Sequence, residues 1–248
     1  MDYENFVRKC YLDILGRDVD SNSLRSLASQ LKEKIISRDV PSLNKNWLTC
    51  YKSPFPKLRL GKDFDGGYII ADLPNVNYNI ILAGGIACDI SFEEDFIKKY
   101  PNVKCYAYDG TIKCLPKNND KIKFINKNIG NLNTKHLTNL HDIIDTNDDI
   151  FIKMDIEGAE FLALNGMKEI LKLNKNIKLF TEIEISHLED AGSNYTQFVD
   201  LLTENNFILC LADNRNEALT KVDRSQLEKI LNDEGNSVNI LCIRELNS

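Results

Sequence analysis

A doubly wound α/β fold, with helices on both faces of a mostly parallel sheet and ligands at its carboxyl edge, is predicted on three grounds. From Tyr78 onward, short apolar runs alternate with helical stretches. The first of these runs leads into the glycine pair Gly84-Gly85, and the second ends at an acid, Asp109. The fourth, I-F-I-K-M, ends in D-I-E-G-A-E, two carboxylates and a glycine ahead of a helix. A strand that ends in charge is unusual for burial alone and ordinary where a ligand lies beyond its carboxyl end.

The chain begins with a different pattern. Phe6, Val7, Cys10, Tyr11, Ile14 and Leu15 recur at spacings of three and four and predict a helix over residues 2–15. G-R-D-V-D-S-N-S breaks it, and Leu24, Leu27, Leu31 and Ile35 make a second helical stripe. A third patch, Leu43 to Tyr51, holds the single tryptophan, Trp47. The segment Y-L-D-I-L-G-R-D resembles a small helical domain often attached to bacterial surface-glycan proteins. Residues 1–53 are therefore expected to form a helical module, with Pro54 and Pro56 marking the start of the main domain, 54–248.

The main domain opens with K-L-R-L-G-K-D-F-D-G-G-Y-I-I-A, two apolar runs around a glycine turn, which predicts a hairpin. The backbone amides of Gly66 and Gly67, with Arg59 and Lys62 nearby, are candidates to hold a small anionic group. Seven strands follow, at Asn79–Ala83, Val103–Tyr108, Ile122–Ile125, Ile150–Met154, Ile177–Ile185, Phe207–Leu211 and Val238–Ile243. Helices are expected at Phe92–Tyr100, His136–Ile144, Ala159–Leu173, Tyr195–Glu204 and Ser225–Leu231.

Composition narrows the function. The 248 residues are 43% apolar and 27% charged, as in an ordinary globular domain with one substantial core. The net charge of -6, with no clustered basic face, argues against a nucleic-acid partner. No apolar window is long enough for a membrane span, and the charged amino terminus is unlike a signal peptide. Seven cysteines with no C-x-x-C spacing read as reduced core thiols, and together these features predict a cytoplasmic protein.

The chemistry concentrates at the strand ends. Gly84 and Gly85 let a ligand approach the backbone, and the helix behind them offers free amides. Asp109 stands about 25 residues on, where an acid can accept hydrogen bonds from both ribose hydroxyls. Ala87 occupies a place where dinucleotide folds usually have glycine, which makes a nicotinamide enzyme the least favoured reading. Asp155 and Glu157 lie two apart, so on an extended backbone they would face the same side.

N-I-I-L-A-G-G-I-A-C-D-I-S-F-E-E-D-F, then K-C-Y-A-Y-D-G-T, then F-I-K-M-D-I-E-G-A-E resemble the FkbM-type methyltransferases over about Arg59 to Phe207. That resemblance implies a Rossmann-like class I methyltransferase fold, seven-stranded with the last strand antiparallel, and S-adenosylmethionine as cofactor. It implies that Gly84, Gly85 and Asp89 lie against the methionine part and Asp109 against the ribose. It also implies O-methylation of a sugar or glycan hydroxyl on a small-molecule or glycan acceptor. Ala87 departs from the family pattern and is expected to set the loop slightly further from the cofactor. Gly110-Thr111 departs from the usual proline-containing turn.

Methyl transfer to a hydroxyl needs in-line geometry and removal of a proton. Asp155, Glu182 and Glu184, at adjacent strand ends, are candidate ligands for Mg2+ or another divalent cation. Asp155, Glu184 and His187 are the candidate catalytic residues, with His187 as base. A metal-dependent glycosyltransferase using Asp155 and Glu157, and a non-catalytic glycan-binding or scaffold protein, are the alternatives.

Overall fold

The computed structural model describes residues 55–63, 66–214, 218–234 and 237–244. The helices expected at 2–15, 24–35 and 43–51, and the boundary near residue 54, lie outside the described residues. In chain order the elements are β1 (Lys57–Leu60), β2 (Tyr68–Ala71), β3 (Ile80–Gly84), α1 (Ser91–Lys99), β4 (Lys104–Tyr108), β5 (Ile122–Ile125), β6 (Asn128–Ile129), β7 (Leu137–Thr138) and β8 (Ile150–Met154). They continue as α2 (Glu160–Gly166), α3 (Lys168–Leu173), β9 (Ile177–Ile183), α4 (Ile185–Asp190), α5 (Tyr195–Glu204), β10 (Ile208–Asp213), β11 (Ala218–Val222), α6 (Arg224–Glu234) and β12 (Val238–Ile243).

Among the described residues the main sheet has eight strands, in the order β11-β10-β12-β9-β8-β3-β4-β5. Strands β5, β4, β3, β8 and β9 are parallel, and β12 runs antiparallel between β9 and β10. The expected antiparallel last strand is present. The eighth strand, β11, was not anticipated; it pairs antiparallel with β10 at the edge. From β3 the chain winds outward through β4 and β5, then crosses back to β8 and β9. The carboxyl ends of β3 and β8 are thus the switch point where such sheets bind ligands.

Alternation along the strands divides the core. Ile80, Leu82, Ile150, Ile152 and Met154 face one side, against Leu164, Met167 and Leu171 of the α2–α3 segment and Phe198 and Leu202 of α5. Ile81, Ala83 and Phe151 face the other, against Phe92 and Phe96 of α1 and Ile69 and Ile70 of the β1–β2 hairpin. The hairpin itself forms as expected, antiparallel with Arg59 opposite Ile69.

Three local expectations are corrected. Residues 136–144 are not helical: Thr134 Oγ1 accepts from the His136 and Leu137 amides, Thr138 Oγ1 from Leu140, and Asn139 Oδ1 from His141. The Leu140 and His141 amides thereby bond side chains in place of the carbonyls four residues back that a helix would use. The single helix expected over 159–173 is two, with Gly166 at the break because a Cβ there would lie 2.5 Å from the Gly130 carbonyl oxygen. The strand expected to reach Ile185 stops at Ile183, and the chain enters α4 at once.

Behind the sheet, Arg244 is 5% exposed and ties several chain ends together. Its guanidinium donates to the carbonyls of Asn205 (2.9 Å), Asn174 and Leu171, and lies 4.2 Å above the Phe207 ring. Burial lowers its pKa to about 10, so it stays charged near neutrality. Arg244→Met would leave three carbonyls without their donor. The expected loss is about 3 kcal/mol of stability, or roughly 6–12 °C in Tm, read by thermal denaturation.

Candidate active site

The end of β3 supplies the floor of a cavity of about 550 Å3 at the switch point. Gly85 has φ +74°, and a Cβ there would lie 1.7 Å from the Asp155 carbonyl oxygen, so glycine alone lets the β3 loop press against the end of β8. Ala87 follows with φ 45°, the left-handed form a glycine would take freely. That conformation costs an L-residue about 1–2 kcal/mol and needs a tie to hold it.

Asp109, at the end of β4 and 5% exposed, is that tie. Its Oδ2 accepts from the amides of Ile86 (3.0 Å) and Ala87 (2.9 Å). Its Oδ1 accepts from the Thr111 amide (2.7 Å) and Thr111 Oγ1 (2.6 Å). Burial by itself raises the pKa of this carboxyl, but the bonds from Thr111, Ala87 and Ile86 prevail and hold it below the usual aspartate value. A carboxylate offers about four acceptor positions, and these four donors fill them. Asp109 therefore stands where the ribose-binding acid was expected, already engaged in shaping the glycine loop.

Other expected cofactor residues are distributed unevenly. Gly84 ends β3 with the Ile129 and Ile156 side chains against it and is not among the cavity's described lining, while Gly66, Gly85 and Asp89 are. Asp89 accepts from Ser91 Oγ (2.8 Å) and lies 3.5 Å from Lys62 Nζ, which ties the loop to the hairpin. Arg59 and Gly67 serve the hairpin instead. Arg59 donates to the carbonyls of Asn214 (3.1 Å) and Lys62 (3.1 Å), and a Cβ on Gly67 would meet the Lys62 carbonyl oxygen at 1.9 Å.

A second, smaller pocket of about 150 Å3 adjoins the first, and Asp155 and Glu157 line both. Glu160, Glu182, Glu184 and His187 complete its polar wall. Asp155 Oδ2 accepts from the Tyr68 hydroxyl (2.8 Å). Asp155 and Glu157 do not share a strand face as expected, because β8 ends at Met154 and Glu157 turns to φ 55°. That strained turn carries the Glu157 carboxylate to His187 on α4, 2.8 Å from Nδ1. Gly158, at φ +95°, packs beneath the same helix, where a Cβ would lie 2.2 Å from the His187 carbonyl oxygen. Glu184 is not on β9 but precedes α4; its Oε1 accepts from Ser186 Oγ (2.7 Å) and lies 3.6 Å from His187 Nε2.

The expected metal set does not form. Among the described residues no three His, Cys, Asp or Glu side chains are grouped so as to hold one ion. Asp155, Glu182 and Glu184 share the small pocket without converging on a common point. Asp155 is instead held by a tyrosine hydroxyl and Glu184 by a serine hydroxyl.

Several residues here were not foreseen. Lys153, within β8, is 4% exposed, lines the large cavity, and donates from Nζ to the Gly85 carbonyl (2.7 Å). Glu93 and Tyr108 line the same cavity, and Glu93 Oε1 and Tyr108 Oη are enclosed without a hydrogen-bond partner among the described residues. Glu160 Oε2 is likewise unpartnered beside the small pocket; burial first, and Asp155 as well, raise its pKa. The signal for Lys153 was legible: a cation within an otherwise apolar strand is costly unless something meets it.

A glycine turn on the first strand of the parallel sheet, an acid on the second and a charged turn on the fourth define a Rossmann-like methyltransferase domain. The methyltransferase FkbM domain matches residues 62–209, more than half of the chain, and the chain belongs to that family. Among solved structures, the methyltransferase FkbM from Methylobacillus flagellatus KT is similar, at 15% identity and a TM-score of 0.42, over 98% of this chain and 62% of that one. This chain thus spans about three fifths of that protein's length. Precorrin-6y C5,15-methyltransferase from Geobacter metallireducens GS-15 matches at 11% identity and a TM-score of 0.35, over 69% of this chain and 83% of its own. Human N-acetylserotonin methyltransferase, solved with SAM, matches at 11% and 0.33, over 68% and 48%. No protein of curated function matches the sequence. Among the described residues no helix is long and apolar enough to cross a membrane.

Proposed function

We propose that this chain transfers a methyl group from S-adenosylmethionine to a hydroxyl of a sugar or glycan. One observation carries the reading. The large cavity with its glycine turn meets a small acidic pocket holding an oriented histidine, and Asp155 and Glu157 form their common wall. The cofactor supplies an electrophilic methyl on a sulfonium, so the acceptor oxygen forms the new C–O bond as the S–CH3 electron pair returns to sulfur. The large cavity suits this cofactor. Its loop offers close backbone approach, its wall carries unpartnered polar atoms, and Asp89, Glu93, Asp109 and Asp155 supply negative charge toward a cationic ligand. Asp109 would meet the ribose only if Thr111 Oγ1 turned aside to free an acceptor position.

His187 takes the hydroxyl proton. With Nδ1–H donated to Glu157, the neutral ring leaves Nε2 as acceptor, on the side of the small pocket. Glu157 fixes the ring by accepting from Nδ1, and the Glu184 carboxylate stands 3.6 Å from Nε2. No step passes through a metal, because the acids do not assemble a ligand set. Methyl transfer is therefore expected to change by less than about twofold on treatment with a chelator.

The reading is tested by transfer of labelled methyl from S-adenosylmethionine to a panel of mono- and oligosaccharides, alongside calorimetry with S-adenosylhomocysteine. Binding with transfer to oxygen supports it. Absence of any binding overturns it.

A further inference from the structure

Lys153 is a buried ammonium in a strand whose other residues are apolar, and among the described residues lining the large cavity it is the one cation. Its Nζ can donate three hydrogen bonds. The Gly85 carbonyl takes one, at 2.7 Å, and among the described residues no second acceptor is within hydrogen-bond distance. The Tyr68 ring lies below it, 5.4 Å from Nζ. Glu93, in the first turn of α1, is 2% exposed on the same cavity wall, with Oε1 enclosed and unpartnered among the described residues. Burial raises its pKa, and the nearby Lys153 charge acts in the opposite sense. The two groups are close enough to feel each other, yet no ion pair forms between them within 4 Å among the described residues. A buried donor and a buried acceptor, both incomplete on the lining of one cavity, are costly unless a ligand with both charges completes them.

The methionine end of S-adenosylmethionine is such a ligand, a carboxylate and an ammonium on one carbon. Asp89, the residue expected there, is already committed to Ser91 and Lys62. We propose that Lys153 receives the carboxylate and Glu93 the ammonium of the cofactor's amino-acid end, making the pair the zwitterion-recognition site of this domain. The inference rests on the cofactor reading above and names the part of the cavity that discriminates its amino-acid end.

Three ligands separate the roles by calorimetry on the full chain. S-adenosylhomocysteine carries both charges, its decarboxylated analogue only the ammonium, and 5′-methylthioadenosine neither. Wild type is expected to bind S-adenosylhomocysteine at least about tenfold more tightly than 5′-methylthioadenosine. Glu93→Gln should weaken S-adenosylhomocysteine and the decarboxylated analogue by about ten- to a hundredfold and leave 5′-methylthioadenosine within about twofold. Lys153→Met should weaken S-adenosylhomocysteine alone. Equal losses for all three ligands, or none, overturn the proposal, as does equal wild-type affinity for S-adenosylhomocysteine and 5′-methylthioadenosine, a result that needs no folded variant. A wild-type protein that binds none of the three overturns the cofactor reading itself, and the pair's role with it.

Discussion

Asp109→Asn is expected to lower affinity for S-adenosylhomocysteine by about a hundredfold, although the substitution is isosteric. The reason is the four donors around the carboxylate. Ile86 and Ala87 amides point at Oδ2, and the Thr111 amide and hydroxyl at Oδ1. Whichever way an asparagine is placed, its NH2 faces at least one backbone N–H, donor against donor, in a site only 5% exposed. An unsatisfied buried donor costs about 1–3 kcal/mol, and about 3 kcal/mol corresponds to a hundredfold in binding. Ala87 makes the loss local as well as energetic. Its φ of 45° is held against its own preference, so without the bond to Asp109 the glycine loop relaxes away from the cavity. Thr111→Val removes one donor from the side chain and leaves the loop bonds intact, so a much smaller change is expected there. The pH dependence follows from the lowered pKa. A carboxyl whose folded pKa lies below its unfolded value contributes stability that is complete above the unfolded value, near 4, and is lost as pH falls through the folded one. The gap in Tm between wild type and Asp109→Asn should therefore be full at neutral pH and narrow in acid below about pH 4. Calorimetry and thermal melts across pH check both; unchanged binding in Asp109→Asn would show that the loop holds its shape without this clamp.

Much of this architecture was legible because local pattern and tertiary environment agree. Ile150–Met154, Ile122–Ile125 and Val238–Ile243 begin and end on the apolar residues that bound their runs, although each run holds one polar residue. The capped helix Tyr195–Glu204 was equally plain, with Asn194 and Gln197 forming a reciprocal capping box. Where they disagree, pattern misleads. E-I-E-I over 182–185 alternates like a strand, yet the strand stops at Ile183, and Gly158 and Glu157 meet His187 on the helix that follows. Residues 136–144 carry helical spacing, but threonine and asparagine side chains claim the amides first. At the site, the positions of Gly85, Asp109, Asp155 and His187 could be read from where strands end. Their partners could not, because Asp109 with Thr111, Asp155 with Tyr68 and His187 with Glu157 are joined by turn geometry or by contacts between distant segments. Lys153 and Glu93 were passed over for a related reason. Each looks like a stray charge on an apolar element until the fold sets them at one cavity wall.

His187→Ala is expected to reduce kcat by about 10^2–10^4-fold while leaving affinity for S-adenosylhomocysteine within about threefold. The split follows from location. His187 lines the small pocket and not the large one, so it can affect the acceptor proton without touching the cofactor. Its orientation comes from Glu157, 2.8 Å from Nδ1, and Glu157 reaches it only through a left-handed turn. Glu157→Gln keeps an acceptor for Nδ1–H but makes that hydrogen bond neutral and weaker, and a loss of about ten- to a hundredfold in kcat is expected. A missing base can be replaced by a small one, so His187→Ala should be partly rescued by added imidazole. A purely structural role predicts a different result: lower Tm, weaker S-adenosylhomocysteine binding and no rescue. The contrast matters for Asp155, which shares the wall between the pockets but is held by the Tyr68 hydroxyl. If His187 is the base, Asp155→Asn should raise KM for the acceptor more than it lowers kcat, because a carboxylate fixed by tyrosine positions a substrate hydroxyl and does not need to take its proton.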